Sequence, residues 1–482
     1  MLRLPTVLLV LMSALLSAVE VSSANTVVVI NGASAGSAQV ARAWMRLRGV
    51  ADEQAITLPG VPSDERITVA DFRRLILNPI EVELVRRGRA ATTLVIAYAP
   101  DFPTEISFDD SGLSAGCRSP GSLTGMTLLA PLLDAAPAVF TAPGANPYAE
   151  QPVAPGFKDE VRANADSRSA LCDQLLAAKD YPAAEILLKQ LAHDIPAPGV
   201  LYNLACAQAL SGGADTALAT LGRAIDAGWM HNQHSQQDPD LAALRTHPTW
   251  PDLIKRMRAQ ASSIRPGPSV PFTQEPGRGG SPPGRLSILL GNTTGVGLNV
   301  DETIANFTHT VAAEAVRATG TVYFMASSDV ARTGPRRWAF ASAAAVLGEL
   351  GVHAEIIDGN LPPRGAQVIG ATLGLETFDW IASGAVMQPG AWCDHLTSFG
   401  GVVRVDNGQT SYPVLLRAGA AGAGGTVTEP LNHHYKFPSA FVHVHRARGL
   451  SLVEAVYRTM SCPYQYLVVG DPLSRPWSRR AP

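Results

Sequence analysis

Two stretches rich in proline and glycine cut this chain into three pieces. They are "AAPAVFTAPGANPYAEQPVAPG" (residues 135–156) and "IRPGPSVPFTQEPGRGGSPPGR" (residues 264–285). Proline lacks an amide hydrogen and fixes φ, so neither stretch belongs inside a helix or a central strand. The outer pieces share one hydrophobic rhythm and the middle piece has another. A chain divided in this way is predicted to fold as one unit interrupted by an inserted block.

In the outer pieces, "TVVVING" (26–32) and "TLVIAYA" (93–99) are short, β-branched apolar runs, as expected of strands buried on both faces. Between them "SAQVARAWMRLRGV" (37–50) and "ADFRRLILNPIEVELVRR" (70–87) have helical spacing. The rhythm resumes in "LSILLGN" (286–292), "TVYFMAS" (321–327), "HAEIIDG" (353–359), "SGAVMQPG" (383–390), "GGTVTEP" (424–430) and "YLVVGDP" (466–472). Strands that alternate with helices imply parallel β-α-β units. The predicted fold class is α/β, a mostly parallel sheet with helices on both faces. It is built from residues 25–150 and 286–478, with an all-α insert at 166–260 and a linker at 261–285.

Within the insert, "SALCDQLLAAKDYPAAEILLKQLAHD" and "LYNLACAQALSGGADTALATLGRAIDAG" superimpose at an offset of 33 residues. Leu171 then matches Leu204, Ala184 matches Ala217, and Leu188 matches Leu221. The block resembles tetratricopeptide repeats, whose period is about 34 residues. "DPDLAALRTHPTWPDLIKRM" (238–257) resembles the amphipathic tail that closes short arrays of this kind. The resemblance implies a protein or peptide partner.

The first 24 residues hold one cation, Arg3, an apolar run from Leu4 to Val19, and small residues at Ser22 and Ala24. This pattern predicts a secretory leader cut after Ala24, hence export to the periplasm or beyond. No later segment is apolar for long enough to span a bilayer. The net charge of −3 gives no footprint for nucleic acid, and the doublets Arg86-Arg87 and Arg336-Arg337 read as solvated helix ends. The five cysteines (117, 172, 206, 393 and 462) show no metal or redox spacing, and no bridge is predicted for Cys172 and Cys206.

Chemistry is sparser. "AWCDHLTSFGG" (391–401) places Cys393 two residues from His395, a spacing that puts the two on different faces of a helix or about 7 Å apart on a strand. The stretch therefore reads as a polar turn, with Asp394 as a helix cap and His395 as an orienting hydrogen-bonder. "GQTS" (408–411) lacks the nucleophile-elbow pattern, so Thr410 and Ser411 read as a helix cap. "GNTTGVG" (291–297) lacks the Lys-Ser/Thr of a phosphate loop. His443 and His445 would share a face if their segment were a strand, the one arrangement that could hold a metal with Glu429 nearby. Lone histidines usually serve as hydrogen-bonders, so neither a metal nor any other cofactor is predicted. A ligand crevice is expected at the strand ends, lined by Asp394, His395, Thr397, Ser398, Gln409, Thr410, Arg417, Glu429 and Lys436. Arg417, Glu429, Lys436 and Asp471 are expected to form ion pairs around it.

Several blocks, in order, carry a wider resemblance: "VVVINGASAGSAQVARAWMRLRGV", "ITVADFRRLILNPI", "GTVYFMASSDVARTGPRRWAF", "QTSYPVLLRAGAAGAGGTVTEP" and "RGLSLVEAVYRTMSCPYQYLVVGDPL". Together they resemble an uncharacterised family of bacterial exported proteins. The order of the C-terminal blocks is also similar to gingipain-type cysteine peptidases of the caspase–haemoglobinase fold. That resemblance implies a His-Gly after one strand and a Cys after the next. Here those positions are Leu373-Gly374 and Pro389-Gly390, and Cys393 lies three residues late. The dyad is absent on this alignment. The expectation is a binding or assembly protein, and the alternative is a hydrolase with a displaced nucleophile at Cys393 or Ser411.

Overall fold

The computed structural model describes residues 20–113, 117–150, 167–194, 198–264, 284–404 and 407–478. Most of the predicted linker, most of the leader and residues 151–156 of the first proline-rich stretch lie outside the described residues. The strands are β1 (Thr26–Asn31), β2 (Ala55–Leu58), β3 (Arg66–Thr68), β4 (Val95–Tyr98), β5 (Glu105–Ser107), β6 (Gly121–Ser122) and β7 (Leu286–Leu289). Then follow β8 (Thr321–Met325), β9 (His353–Ile357), β10 (Gln367–Gly374), β11 (Val386–Leu396), β12 (Gly422–Thr426) and β13 (Tyr466–Gly470).

Ten of them form one sheet in the order β2-β1-β4-β7-β13-β12-β11-β10-β8-β9. Every neighbouring pair is parallel except β12 with β13. The sheet is thus two parallel five-stranded halves that run in opposite directions and meet at one antiparallel seam. Their C-terminal strand ends open on opposite edges. The seam explains the glycines of "GAGGT": a Cβ on Gly424 would lie 2.4 Å from the Tyr466 ring, and one on Gly425 would lie 2.2 Å from the backbone of Gly400.

Side chains alternate across the pleat. Val27, Val29, Ile96 and Tyr98 enter one apolar cluster, with Ile80 and Leu84 of helix Asn78–Arg86 and Val346 and Leu347 of helix Phe340–Glu349. Val28, Ile30, Val95 and Ala97 enter another, with Val40, Trp44 and Met45 of helix Ala35–Arg48. Helices cover both faces, as the runs without polar alternation require. The strands β3, β5 and β6 form a small separate sheet.

The inserted block consists of helices Ser167–Ala177, Tyr181–Asp194, Pro198–Leu210 and Ala214–Asp226, closed by Trp250–Ser263. The 33-residue offset is geometric as well as sequential. Lys179 turns the first hairpin at φ 62°, and Gly212, 33 residues on, turns the second at φ 86°. Ala184, Ala217, Leu188 and Leu221 are all buried in the seam. Leu171 departs from its match: it is 47% exposed where Leu204 is 2% exposed, Leu171 standing on the first of the described helices of the block. Cys172 and Cys206 are free thiols.

Several expectations need correction. The border at 260 falls inside a helix, and Met230, Ala261 and Ile264 are buried in an apolar cluster of the sheet, so the block is docked on the α/β unit. "AWCDHL" is the second half of strand β11, not a turn. Its partner β10 has no strand signature in the sequence, because its two glycines and threonine mask the apolar pattern. Gly370 is obligatory there, since a Cβ would meet the His443 ring at 2.5 Å. "FVHVHRA" is a helix, Phe441–Ala447, so His443 and His445 point apart. At the N-terminus, Val21 is buried, donates its amide to Glu454 (3.3 Å) and accepts from Arg475 (2.6 Å).

Candidate functional site

The edge where β8, β10, β11 and β12 end holds most of the expected crevice. Asp394 lies on β11, fully buried. Its Oδ2 accepts from Arg336 Nη1 (2.7 Å) and from the Tyr466 hydroxyl across the seam (3.0 Å). Arg336 also donates to the carbonyl of Leu373. Far from being a solvated helix end, Arg336 is 2% exposed. Two groups that the sequence reading missed therefore complete this site, Arg336 and Tyr466. A usable signal existed. Arg332 and Arg336 stand four apart on helix Val330–Arg337, which turns both toward the strand ends. Arg332 is half-buried, pairs with Asp329 (2.7 Å) and donates Nε to Thr397 (3.3 Å).

Asp394 caps no helix, because it sits mid-strand. His395 does not fasten the turn that follows. Its ring is wholly buried, stands edge-on to Phe378 at 5.0 Å, and neither nitrogen has a hydrogen bond of good geometry. Burial lowers its pKa to about 3; the Thr410 backbone opposes this, and Arg336 and Arg332 reinforce it. The turn is held instead by Gln409, whose Oε1 accepts from the Thr397 hydroxyl (2.8 Å) and the Phe399 amide (2.9 Å). Thr426 adds hydrogen bonds to the carbonyls of Thr397 (2.9 Å) and Ser398 (3.0 Å).

Cys393 is equally sealed. Its thiol donates to the Met387 sulfur (3.3 Å), and burial pushes its pKa up. Thr410 accepts from the Phe378 amide (2.9 Å) rather than capping a helix. Ser411 is buried, and helix Pro413–Arg417 has no side-chain cap. The described residues hold no hydrogen bond from Cys393 or Ser411 to an imidazole.

The remaining members do not converge as expected. Arg417 sits on the surface and pairs with Glu302 (3.2 Å). Glu429 accepts from the Leu431 amide (2.8 Å), and Lys436 is buried, donating to the Pro430 carbonyl (3.0 Å) over the Tyr464 ring. Asp471 is bound by Arg48 (2.5 Å) and Trp44 (3.1 Å). These four form no single ion-pair network. His443 meets Thr372 (3.2 Å) and His445 meets Glu150 (2.9 Å), so they share no metal. Groups that could hold one lie in the helical block.

The opposite edge carries a second polar cluster, at the ends of β1, β4 and β7. In this half the chain passes from β1 outward to β2 and then back to β4, a topological switch point of the kind where open α/β sheets bind ligands. Asp101, at φ 69°, accepts from the hydroxyls of Ser34 (2.6 Å) and Thr293 (2.8 Å) and from the Thr293 amide (3.2 Å). Asn31 donates to the Asp101 carbonyl (2.5 Å). Asp101 thereby ties down Ser34, the residue that caps helix Ala35–Arg48. "GNTTGVG" is the loop that delivers Thr293.

Chemically, the first edge presents one guanidinium with amide and hydroxyl groups to solvent, while its thiol and imidazoles are withdrawn. Comparison with protein-family models, with curated proteins and with solved structures found no match for this chain.

Proposed function

We propose that this protein is an exported binding or assembly protein, in which a gingipain-like α/β platform carries a tetratricopeptide-like block that engages a protein or peptide. The observation that carries this reading is the pair Leu171 and Leu204. The matching position is buried in the second hairpin and exposed in the first of the described hairpins. Ile186, on the same hairpin, is 63% exposed. An apolar position that neighbouring repeats normally cover offers a partner helix or strand a ready seat.

Support for binding over hydrolysis comes from Cys393 and His395, since a nucleophile and base must reach hydrogen-bond distance of each other and of a substrate. Export rests on the leader. The contacts of Val21 favour a cut ahead of Glu20 over one after Ala24, because the later cut would discard a buried side chain and two hydrogen bonds.

The test is affinity capture from the exported fraction with the full chain and with Leu171→Asp/Ile186→Asp as paired baits. Both substituted positions are exposed, so circular dichroism should match. A partner held by the native chain and lost by the variant is expected. Identical capture by both baits, or capture by neither, overturns the reading.

A further inference from the structure

The helical block brings together Cys206, Asp238 and Asp240, whose ligand atoms all lie within 4.8 Å of one another. Cys206 comes from helix Pro198–Leu210, and the two aspartates open the short helical turn Pro239–Leu244. One turn earlier, His234 places Nε2 3.5 Å from Asp238 Oδ2. The thiol of Cys206 lies 3.8 Å from the same oxygen. Zinc bonds of about 2.3 Å to sulfur and 2.0 Å to nitrogen or oxygen put tetrahedral ligands about 3.3–3.6 Å apart. The cluster is nearly that size.

A purely structural role accounts for part of it. Asp238 Oδ1 accepts from the Asp240 amide (3.0 Å), and Oδ2 accepts from the Tyr202 hydroxyl (2.6 Å). That explains Asp238 and leaves Asp240 and Cys206 unexplained. Arg245 donates to the main-chain carbonyl of Asp238 (2.5 Å) and not to its carboxylate. Among the described residues no lysine or arginine forms an ion pair with either aspartate. Cys206 is 4% exposed, and its hydrogen bond is long even for sulfur. Burial and the neighbouring aspartates push the thiol up; burial and Asp238 do the same to the Asp240 carboxyl. Three donors, one sulfur and two carboxylates, thus converge with excess negative potential, and the exposed His234 stands beside Asp238.

We propose that Cys206, Asp238 and Asp240 form a binding site for a divalent transition cation of the zinc type, with His234 beside Asp238 supplying the fourth ligand on binding. The donor set is one sulfur and two carboxylates with an imidazole at its edge, which zinc accepts and magnesium does not favour. Binding replaces the S–H bond with a metal–thiolate bond and releases one proton to solvent. Tyr202, stacked on Trp229 at 3.9 Å, donates to the Asp238 ligand and fixes its orientation. The ion ties helix Pro198–Leu210 to the segment that leads to the closing helix, so it reinforces the stack from within.

The test uses the full chain, stripped with chelator and titrated with Co2+ and then Zn2+, followed by absorbance and calorimetry. One Co2+ per chain is expected, with a thiolate-to-cobalt charge-transfer band that Zn2+ abolishes. Cys206→Ser should remove the band. His234→Ala and Asp240→Asn, at the exposed and half-buried positions, should keep the fold by circular dichroism. Each should weaken binding about tenfold or more, since even partners outside the coordination shell cost that much. Absence of stoichiometric binding to the native chain overturns the proposal. So does a band that survives Cys206→Ser, or an affinity unchanged in both His234→Ala and Asp240→Asn.

Discussion

The two edges of the sheet solve the same problem in different ways. Each is the C-terminal end of five parallel strands, and each gathers polar side chains there. On the β1–β4–β7 edge the acceptor is Asp101, half-buried and met by neutral hydroxyl and amide donors. On the β8–β10–β11 edge the acceptor is Asp394, fully buried and met by a buried guanidinium. The first cluster keeps contact with water and leaves its carboxylate well supplied with donors. The second leaves Arg336 Nε, Asp394 Oδ1 and both nitrogens of His395 without good partners. A buried ion pair of this kind contributes little net stability, yet removing one member exposes the full desolvation cost of the other. Charges at the second edge are therefore held by one another inside the packing, and the charge at the first by neutral donors near water.

The sharpest way to break that comparison is to remove one partner at each edge. Arg336→Met should cost about 3–5 kcal/mol, because Asp394 is left charged or is forced to take up a proton in an apolar setting. Asp101→Asn should cost only about 1 kcal/mol, since asparagine tolerates the positive φ and still accepts one of the bonds. Urea unfolding measures both. The double variant Arg336→Met/Asp394→Leu should recover most of the larger loss. Equal losses at the two edges would show that the buried pair is no different in kind from the exposed cluster.

Acid should separate the halves as well. His395 and His443 both belong to the second half, and burial first, then nearby arginines, lowers each to about 3. The unfolded chain takes up protons on these imidazoles near their ordinary pKa of about 6.5, while the folded chain does not. Their contribution to stability is thus complete above about pH 6.5 and is lost as the pH falls toward 3, by about 1.4 kcal/mol per pH unit for each ring. Asp394 pulls the other way wherever it holds an extra proton, because burial raises its carboxyl. Hydrogen exchange near pH 5 should show amides of β10 and β11 opening before those of β1 and β4. Simultaneous opening would mean that the imidazoles do not set the acid response.

What could be read from the chain follows the range of the interactions. The helical hairpins of the inserted block are legible because each is local, with positive-φ turns at Lys179 and Gly212. The strands rich in valine were legible for the same reason. Strand β10 was hidden, since Gly370 answers to a histidine 73 positions later in the chain, not to its neighbours. Arg336 looked like surface because an arginine doublet usually is. Only its distant partners, Asp394 and the Leu373 carbonyl, make burial tolerable. The antiparallel seam is likewise a fact of strand order, which no run of residues encodes. The neighbourhood is legible in the sequence, whereas the local roles of Asp394, His395 and Thr410 depend on the strand and on Phe378.

The smallest expected effect concerns Cys393, and it tests whether the second edge is as closed as the first is open. A thiol reacts as its thiolate, so reactivity needs access and a lowered pKa. Cys393 has neither: it is fully buried, hydrogen-bonded to Met387, and pushed up by burial. Iodoacetamide at neutral pH should leave Cys393 unlabelled in the native chain, with modification appearing only as urea unfolds it. His395→Ala should not alter this, since the imidazole makes no bond to the sulfur. Peptide mapping of the alkylated protein reads the result directly. Rapid labelling of Cys393 in the native state, abolished by His395→Ala, would mean that the two groups meet in a conformation open to solvent. The edge would then be a displaced cysteine-hydrolase centre, and its burial a resting state.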